Sequence, residues 1–246
     1  MGKSKRKALK SGPIEMQVAQ QYFEGFKDAK YNELFNGILG GVYAAAKFKE
    51  WANDPNFVGI MFWYSFENET KKYLLAAEKK ITPFDYEEDI IESYKPEDSE
   101  IILSNNIITE FGPLKWIPFQ NEEEFKVDVI KPNFPDKIEN SAKIEILQKD
   151  FLGFNKGKNI SKVSFAFMCK ADSDENGKSY LIDFLTDPKL VYISYHFGYS
   201  SALDPHGLRL VLMGRDHDGR IIENGQGKFK YRMENESKPP RKPPTQ

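Results

Sequence analysis

The sequence predicts an α+β protein: two N-terminal helices packed on a mainly antiparallel β-sheet, with an irregular, β-leaning acidic middle segment. Three observations predict it. Apolar residues recur every three to four positions from Ile14 to Tyr43. The period shortens to two at Val58–Phe66 and again at Val191–Tyr199. Between those runs the prolines at 83, 96, 113, 118, 132 and 135 cut the chain into short pieces. A period near 3.6 marks an amphipathic helix and a period of two a half-buried strand.

Residues 1–13 form a basic arm carrying Lys3, Lys5, Arg6, Lys7 and Lys10 and ending at Gly12-Pro13. From Ile14 the residues Val18, Tyr22 and Phe26 succeed one another four apart, which is one helix. Leu34, Phe35, Ile38, Leu39, Val42 and Tyr43 continue the pattern and predict a second, stopped by Asn53-Asp54-Pro55. Its neighbouring stripe, Gly37, Gly41 and Ala45, is small and invites close approach of another element. Val58, Ile60, Phe62, Tyr64 and Phe66 then alternate as a strand, and Lys72–Ala77 returns as its partner, so residues 14–80 read as a helical pair plus a hairpin.

Residues 81–160 read as an irregular insert or small lobe, with short strands at Ile101–Leu103, Ile107–Ile108 and Phe125–Ile130. Order returns in 161–233, where Val163–Met168, Tyr180–Leu185, Leu190–Tyr199 and Leu208–Met213 are expected strands. Asp216–Gly219 turns into Arg220–Ile222, and residues 234–246 are a basic, proline-rich tail with an extended habit. Val191-x-Ile193-x-Tyr195-x-Phe197-x-Tyr199 echoes the strand at Val58–Phe66 in period and residue class. Either the hairpin is duplicated or two half-buried aromatic strands simply look alike.

The stretch 191–222 also resembles the closing β-hairpin of uncharacterised small bacterial proteins, through Leu208-Arg-Leu-Val-Leu-Met-Gly-Arg-Asp-His-Asp-Gly-Arg-Ile-Ile222. The resemblance implies strands and a turn; that group has no assigned activity, so it implies no chemistry.

Composition bounds the function classes. A chain of 246 residues makes one large domain or two small ones and can bury a real core. Nineteen Phe and twelve Tyr make that core aromatic. The net charge of −2 argues neither for a nucleic-acid coat nor for an acid-loving surface, although basic ends flank an acidic middle with runs at Asp85–Asp89 and Glu122–Glu124. The one cysteine, Cys169, excludes an internal disulfide and fits a reducing compartment. No apolar run succeeds the basic N-terminus as a secretory signal requires, so a soluble, cytoplasmic protein is expected.

Candidate chemistry is sparse. The histidines are His196, His206 and His217. A strand over Leu208–Met213 holds His206 and His217 roughly 30 Å apart at about 3.3 Å per residue, too far to share a metal. His196 can approach Asp204 and His206 across the hairpin, and these three are the candidate residues of a hydrolase-like enzyme. Asp172, Asp174, Asn176 and Asp183 have the spacing of a calcium loop, with Gly177 at its sixth place. A polar hairpin turn between strands explains the same residues without an ion. Cys169 beside Lys170 has no predictable base. Gly153-Phe-Asn-Lys-Gly-Lys158 lacks the spacing and the Ser or Thr of a phosphate loop, so no cofactor is expected beyond the calcium alternative.

These readings leave a non-enzymatic binding or interaction protein as the expected function, a component of a larger assembly with a protein partner. Its alternatives are the enzyme at His196, Asp204 and His206, and nucleic-acid association through Lys3, Lys5, Arg6, Lys7 and Lys10. Aromatics on both faces of the strands would serve a partner if one face were open, and would be two-sided core if helices covered it.

Overall fold

The structure, a computed structural model, describes residues 14, 16–28, 35, 37–69, 72–82, 100–104, 106–108, 137–139, 141–154, 166–173, 177–200, 208–219, 221–222 and 233–234. In chain order the elements are α1 (Met16–Asp28), β1 (Gly40–Ala44), α2 (Ala46–Ala52), β2 (Gly59–Glu67), β3 (Lys72–Lys80), β4 (Ile101–Leu103) and β5 (Asn106–Ile108). Next come β6 (Lys137–Glu139), α3 (Ser141–Phe154), β7 (Ala166–Lys170), α4 (Tyr180–Leu185), β8 (Tyr192–Tyr199), β9 (Leu208–Arg215) and β10 (Met233–Glu234). The protein is α+β with antiparallel sheets, as the sequence predicts at that level.

Among the described residues the strands form two five-stranded antiparallel sheets, ordered β10-β9-β8-β1-β5 (sheet A) and β6-β4-β3-β2-β7 (sheet B). The two aromatic strands that echo each other are β2 and β8, each inside its own sheet with a neighbour on either side. Alternate residues of a strand point to opposite faces, and here both faces are buried. The inner faces meet in one core, where Phe62, Tyr64 and Phe66 of sheet B oppose Tyr195, Phe197 and Leu210 of sheet A. Outside sheet A lies α1, whose Ala19, Tyr22 and Phe23 cover Val211 and Met213. Outside sheet B lies α3, whose Ile144 and Leu147 cover Met61, Trp63, Ala76 and Ile101. The result is four layers, helix–sheet–sheet–helix.

Phe35 joins them. Its ring lies 4.6 Å from Phe197, 5.0 Å from Tyr64, 5.7 Å from Phe26 and 6.0 Å from Phe151, so it touches both sheets and both covering helices. Tyr43 also crosses between sheets, donating its buried hydroxyl to the Leu75 carbonyl. The short helices α2 and α4 touch each other and contribute Phe48, Trp51, Leu181 and Phe184 to the same core.

Three expectations are corrected. The second helix, expected from Leu34 to the stop at Asn53-Asp54-Pro55, is strand β1 over Gly40–Ala44 and helix only from Ala46 to Ala52. Ile38, Leu39, Val42 and Tyr43 are all buried, so no alternation betrays the strand. Pairing decides it: a Cβ on Gly40 would run into the Tyr195 carbonyl oxygen, so the β1 backbone lies directly against β8. Tyr180–Leu185 is helix α4 rather than a strand, because Ser179 Oγ caps it by accepting from the Ile182 amide and Leu181, Phe184 and Leu185 supply helical spacing. The acidic middle holds helix α3, and β4 pairs between β3 and β6 within sheet B. The expected strand Phe125–Ile130 lies outside the described residues. The strands expected around Val58–Phe66, Lys72–Ala77, Leu190–Tyr199 and Leu208–Met213 are present as β2, β3, β8 and β9.

Candidate functional site

Strand alternation sets the first candidate. In β8 the inner residues are Ile193, Tyr195 and Phe197, so Ser194 and His196 point outward, toward the layer that α1 covers. Arg215, at the end of β9, has the same outward parity as Val211 and Met213. These three meet: Arg215 Nε donates to Ser194 Oγ at 2.8 Å, and His196 Nε2 stands 3.1 Å from the same oxygen. Arg215 Nη1 donates to the Gly219 carbonyl at 3.0 Å, and the His196 ring meets Phe23 of α1 edge-on at 5.4 Å.

All three side chains are enclosed, with Ser194 and Arg215 at 0% exposure and His196 at 2%. Burial, with the nearby Arg215 guanidinium adding to it, holds the His196 imidazole well below its usual pKa, so the ring is neutral at pH 7. Burial also lowers Arg215, to about 9. The serine–histidine distance is that of a nucleophile and its base. The chemistry is not: the guanidinium donates to the serine oxygen, and α1 seals the group from solvent. The arrangement does solvate a buried cation, with two neutral oxygens as hydrogen-bond acceptors and the Asp216 carboxylate acting on it through its charge. Of the sequence candidates Asp204 and His206, both lie outside the described residues, so His196 is the one the structure places.

Across the molecule, the outward face of sheet B holds a second enclosed polar group. Glu78, fully buried, accepts from Trp63 Nε1 at 2.8 Å, and Lys80 Nζ lies 4.0 Å from its other oxygen. Sequence reasoning missed Ser194, Arg215, Glu78 and Lys80 as interior polar groups. The available signal was parity: each sits two residues from an outward-facing partner on its own or the paired strand.

The calcium candidate is described in part. Asp172 is exposed and lies 4.0 Å from Lys170 Nζ, and Asp183, on α4, pairs with Lys178 at 2.6 Å. Asp174 and Asn176 lie outside the described residues. Gly177 has φ 75°, and a bridge between Ser173 and Ser179 closes the loop, as a tight turn requires. Beyond the turn the chain enters helix α4 and not a returning strand. Asp216, His217 and Asp218 form another group whose ligand-type atoms lie within 4.8 Å of one another, on an exposed turn. There Gly219 takes the positive φ, 80°, that the Asp-Gly turn calls for. Cys169 is a buried strand residue packed in the main core.

On the solvent side, α2 and its neighbours carry a set of paired charges. Lys47 pairs with Glu50 at 2.6 Å and with Glu100 at 3.0 Å, while Trp51 Nε1 donates to Glu100 at 2.7 Å. Lys79 pairs with Asp54 beside them. The bonds to Glu50 and Glu100 raise the Lys47 pKa, and the Lys79 ammonium lowers that of Asp54. Burial pushes Glu100 upward, but the hydrogen bonds from Lys47 and Trp51 outweigh it and leave the carboxylate lowered.

Comparison with known protein families, curated proteins and solved structures finds no match to this chain. Among the described residues no helix is long and apolar enough to cross a membrane. The basic arm, Lys3, Lys5, Arg6, Lys7 and Lys10, and the proline-rich tail beyond Glu234 lie outside the described residues.

Proposed function

We propose that the protein is a non-enzymatic binding or interaction protein that meets a protein partner through the charged face around α2. The observation that carries this is the contrast between enclosed and exposed chemistry. His196 and its neighbours are spent in packing beneath α1. Lys47, Glu50, Glu100, Asp54 and Lys79 are instead held in a fixed pattern at the surface. Charges fixed in this way steer encounter and set specificity more than they add affinity.

The test uses the full chain as bait in native lysate and in sizing chromatography, beside a variant with Lys47→Glu and Lys79→Glu. The expected result is a partner retained by the wild type, lost by the variant and retained less as salt rises. A stable monomer that retains nothing in either form would sink the proposal. Salt-sensitive retention of nucleic acid that disappears with residues 1–12 would instead favour the basic arm. An activity abolished by His196→Ala and His206→Ala in a folded chain would favour the enzyme.

A further inference from the structure

The element order repeats: α1-β1-α2-β2-β3-β4 is succeeded by α3-β7-α4-β8-β9-β10, with β5 and β6 between. The sequence repeats with it. Asp54-Pro-x-Phe57-Val58-x-Ile60 and Asp187-Pro-x-Leu190-Val191-x-Ile193 match at an offset of 133 residues (187 − 54). A shared turn and an aromatic strand alone would be weak grounds, since such pieces recur by chance. The atoms supply stronger ones.

Asp54 Oδ1 accepts from the Asn56 amide at 2.8 Å, and Asp187 Oδ1 accepts from the Lys189 amide at 2.9 Å. The Val58 amide donates to the Lys80 carbonyl at 2.9 Å, and the Val191 amide to the Arg215 carbonyl at 2.8 Å. The Val58 carbonyl accepts from Ala171 and the Val191 carbonyl from Ala45, both at 2.9 Å. The buried residues Phe48, Trp51 and Ala52 of α2 stand at the same offset from Leu181, Phe184 and Leu185 of α4.

That carbonyl pair also reveals an exchange. Ala171 comes after β7, in the second half, yet it bonds the first half's strand; Ala45 comes after β1 and bonds the second half's. The ladders agree: β1 pairs with β8, and β7 pairs with β2. The covering helices are exchanged in the same sense. Phe26 of α1 lies 5.6 Å from Phe197 of β8, and Phe151 of α3 lies 5.3 Å from Tyr64 of β2, where 64 and 197 again differ by 133.

We infer that the chain is two copies of one α-β-α-β-β-β unit, each lending its first helix and first strand to the hairpin of the other. The principal interaction surface of each half is therefore the other half. Connections differ in length between the copies: four residues join β2 to β3, whereas eight join β8 to β9. Ala45 alone joins β1 to α2, whereas the loop containing Asp172 and Gly177 joins β7 to α4.

The exchange predicts how a severed chain behaves. A site-specific protease sequence is inserted between residues 109 and 136 of the full chain, which is then cut under native conditions. The expected result is one particle with both fragments in 1:1 ratio by native mass spectrometry, eluting with the uncut chain and separating only in denaturant. Two fragments that elute apart, each still structured, would overturn the inference. Hydrogen exchange on the uncut Gly198→Ala variant gives a second reading. Protection lost from β8 and β9 should be lost equally from α1 and β1, in the other half of the sequence. Loss confined to residues after 137 would overturn the exchange.

Discussion

Lowering the pH will weaken this fold through His196, and the size of the loss is set by where the ring sits. It is 2% exposed, lies against Phe23 and shares Ser194 with Arg215. Burial first, and the guanidinium second, hold its folded pKa well below 6.5. The unfolded ring takes up a proton near pH 6.5, as an ordinary histidine does. Below that pH the unfolded chain binds more protons than the folded one, so stability rises with pH across the window. The contribution is present in full above about 6.5 and is lost as pH falls below it, until the folded ring itself titrates. For a ring that stays neutral when folded, a drop from about pH 7.5 to about 5.5 costs about 1.4 kcal/mol.

Carboxylates titrate in the same range, so the quantity to measure is a difference. Urea unfolding of the wild type and of His196→Gln at both pH values isolates the ring. The wild type should lose about 1.4 kcal/mol more than the variant over that interval. Equal losses would refute the reasoning, as would an NMR titration of the ring with a midpoint at or above 6.5. Either result would place the imidazole in water and reopen it as a base.

Two other substitutions probe the layers. Glu78→Leu removes the buried carboxylate beside Lys80, which is 2% exposed, and should cost about 3–5 kcal/mol by urea unfolding. The double variant with Lys80→Met should cost less than Glu78→Leu alone; a single-variant cost under about 1 kcal/mol would show that the ammonium does not depend on this carboxylate. Gly198→Ala would place a Cβ 2.8 Å from Cβ of Tyr22 and force α1 away from β8. A loss of about 1–3 kcal/mol is expected in the denaturant midpoint. Gly153→Ala, with nothing within 4 Å of the added carbon, should leave stability unchanged or raise it.

The strands that showed themselves in sequence are those bounded by strong turn chemistry. Asp54-Pro55 and Asp187-Pro188 open β2 and β8, and aromatic alternation does the rest. The strand β1 stayed hidden because a strand covered on both faces loses its alternation, and Val42 and Tyr43 satisfy a helical spacing equally well. The helix α4 was hidden by its length: in six residues Leu181, Phe184 and Leu185 cannot outweigh the β-like look of Tyr180-Leu-Ile. The candidate site fared similarly. His196 was visible as a titratable residue, but its environment depends on Arg215, which a long-range strand pairing brings beside it.

The repeat gives that environment a reason. Gly59 pairs with Lys80 and Tyr192 with Arg215, so these two of the buried cations occupy matching places at the ends of β3 and β9. A buried cation needs compensation, because its desolvation penalty is several kcal/mol even after relaxation. The first copy supplies a carboxylate, Glu78, itself bonded to the indole of Trp63. In the second copy the position of Glu78 is taken by Met213 and that of Trp63 by His196. Compensation there comes from the Ser194 hydroxyl and the Gly219 carbonyl, with the charge of Asp216 in support. A histidine packed beside such a cation is driven to its neutral form, and a neutral ring is the one that adds no second charge to the layer. His196 thus stands where the first copy has a tryptophan: it fills the space between sheet and helix and sets one ring nitrogen 3.1 Å from a buried oxygen.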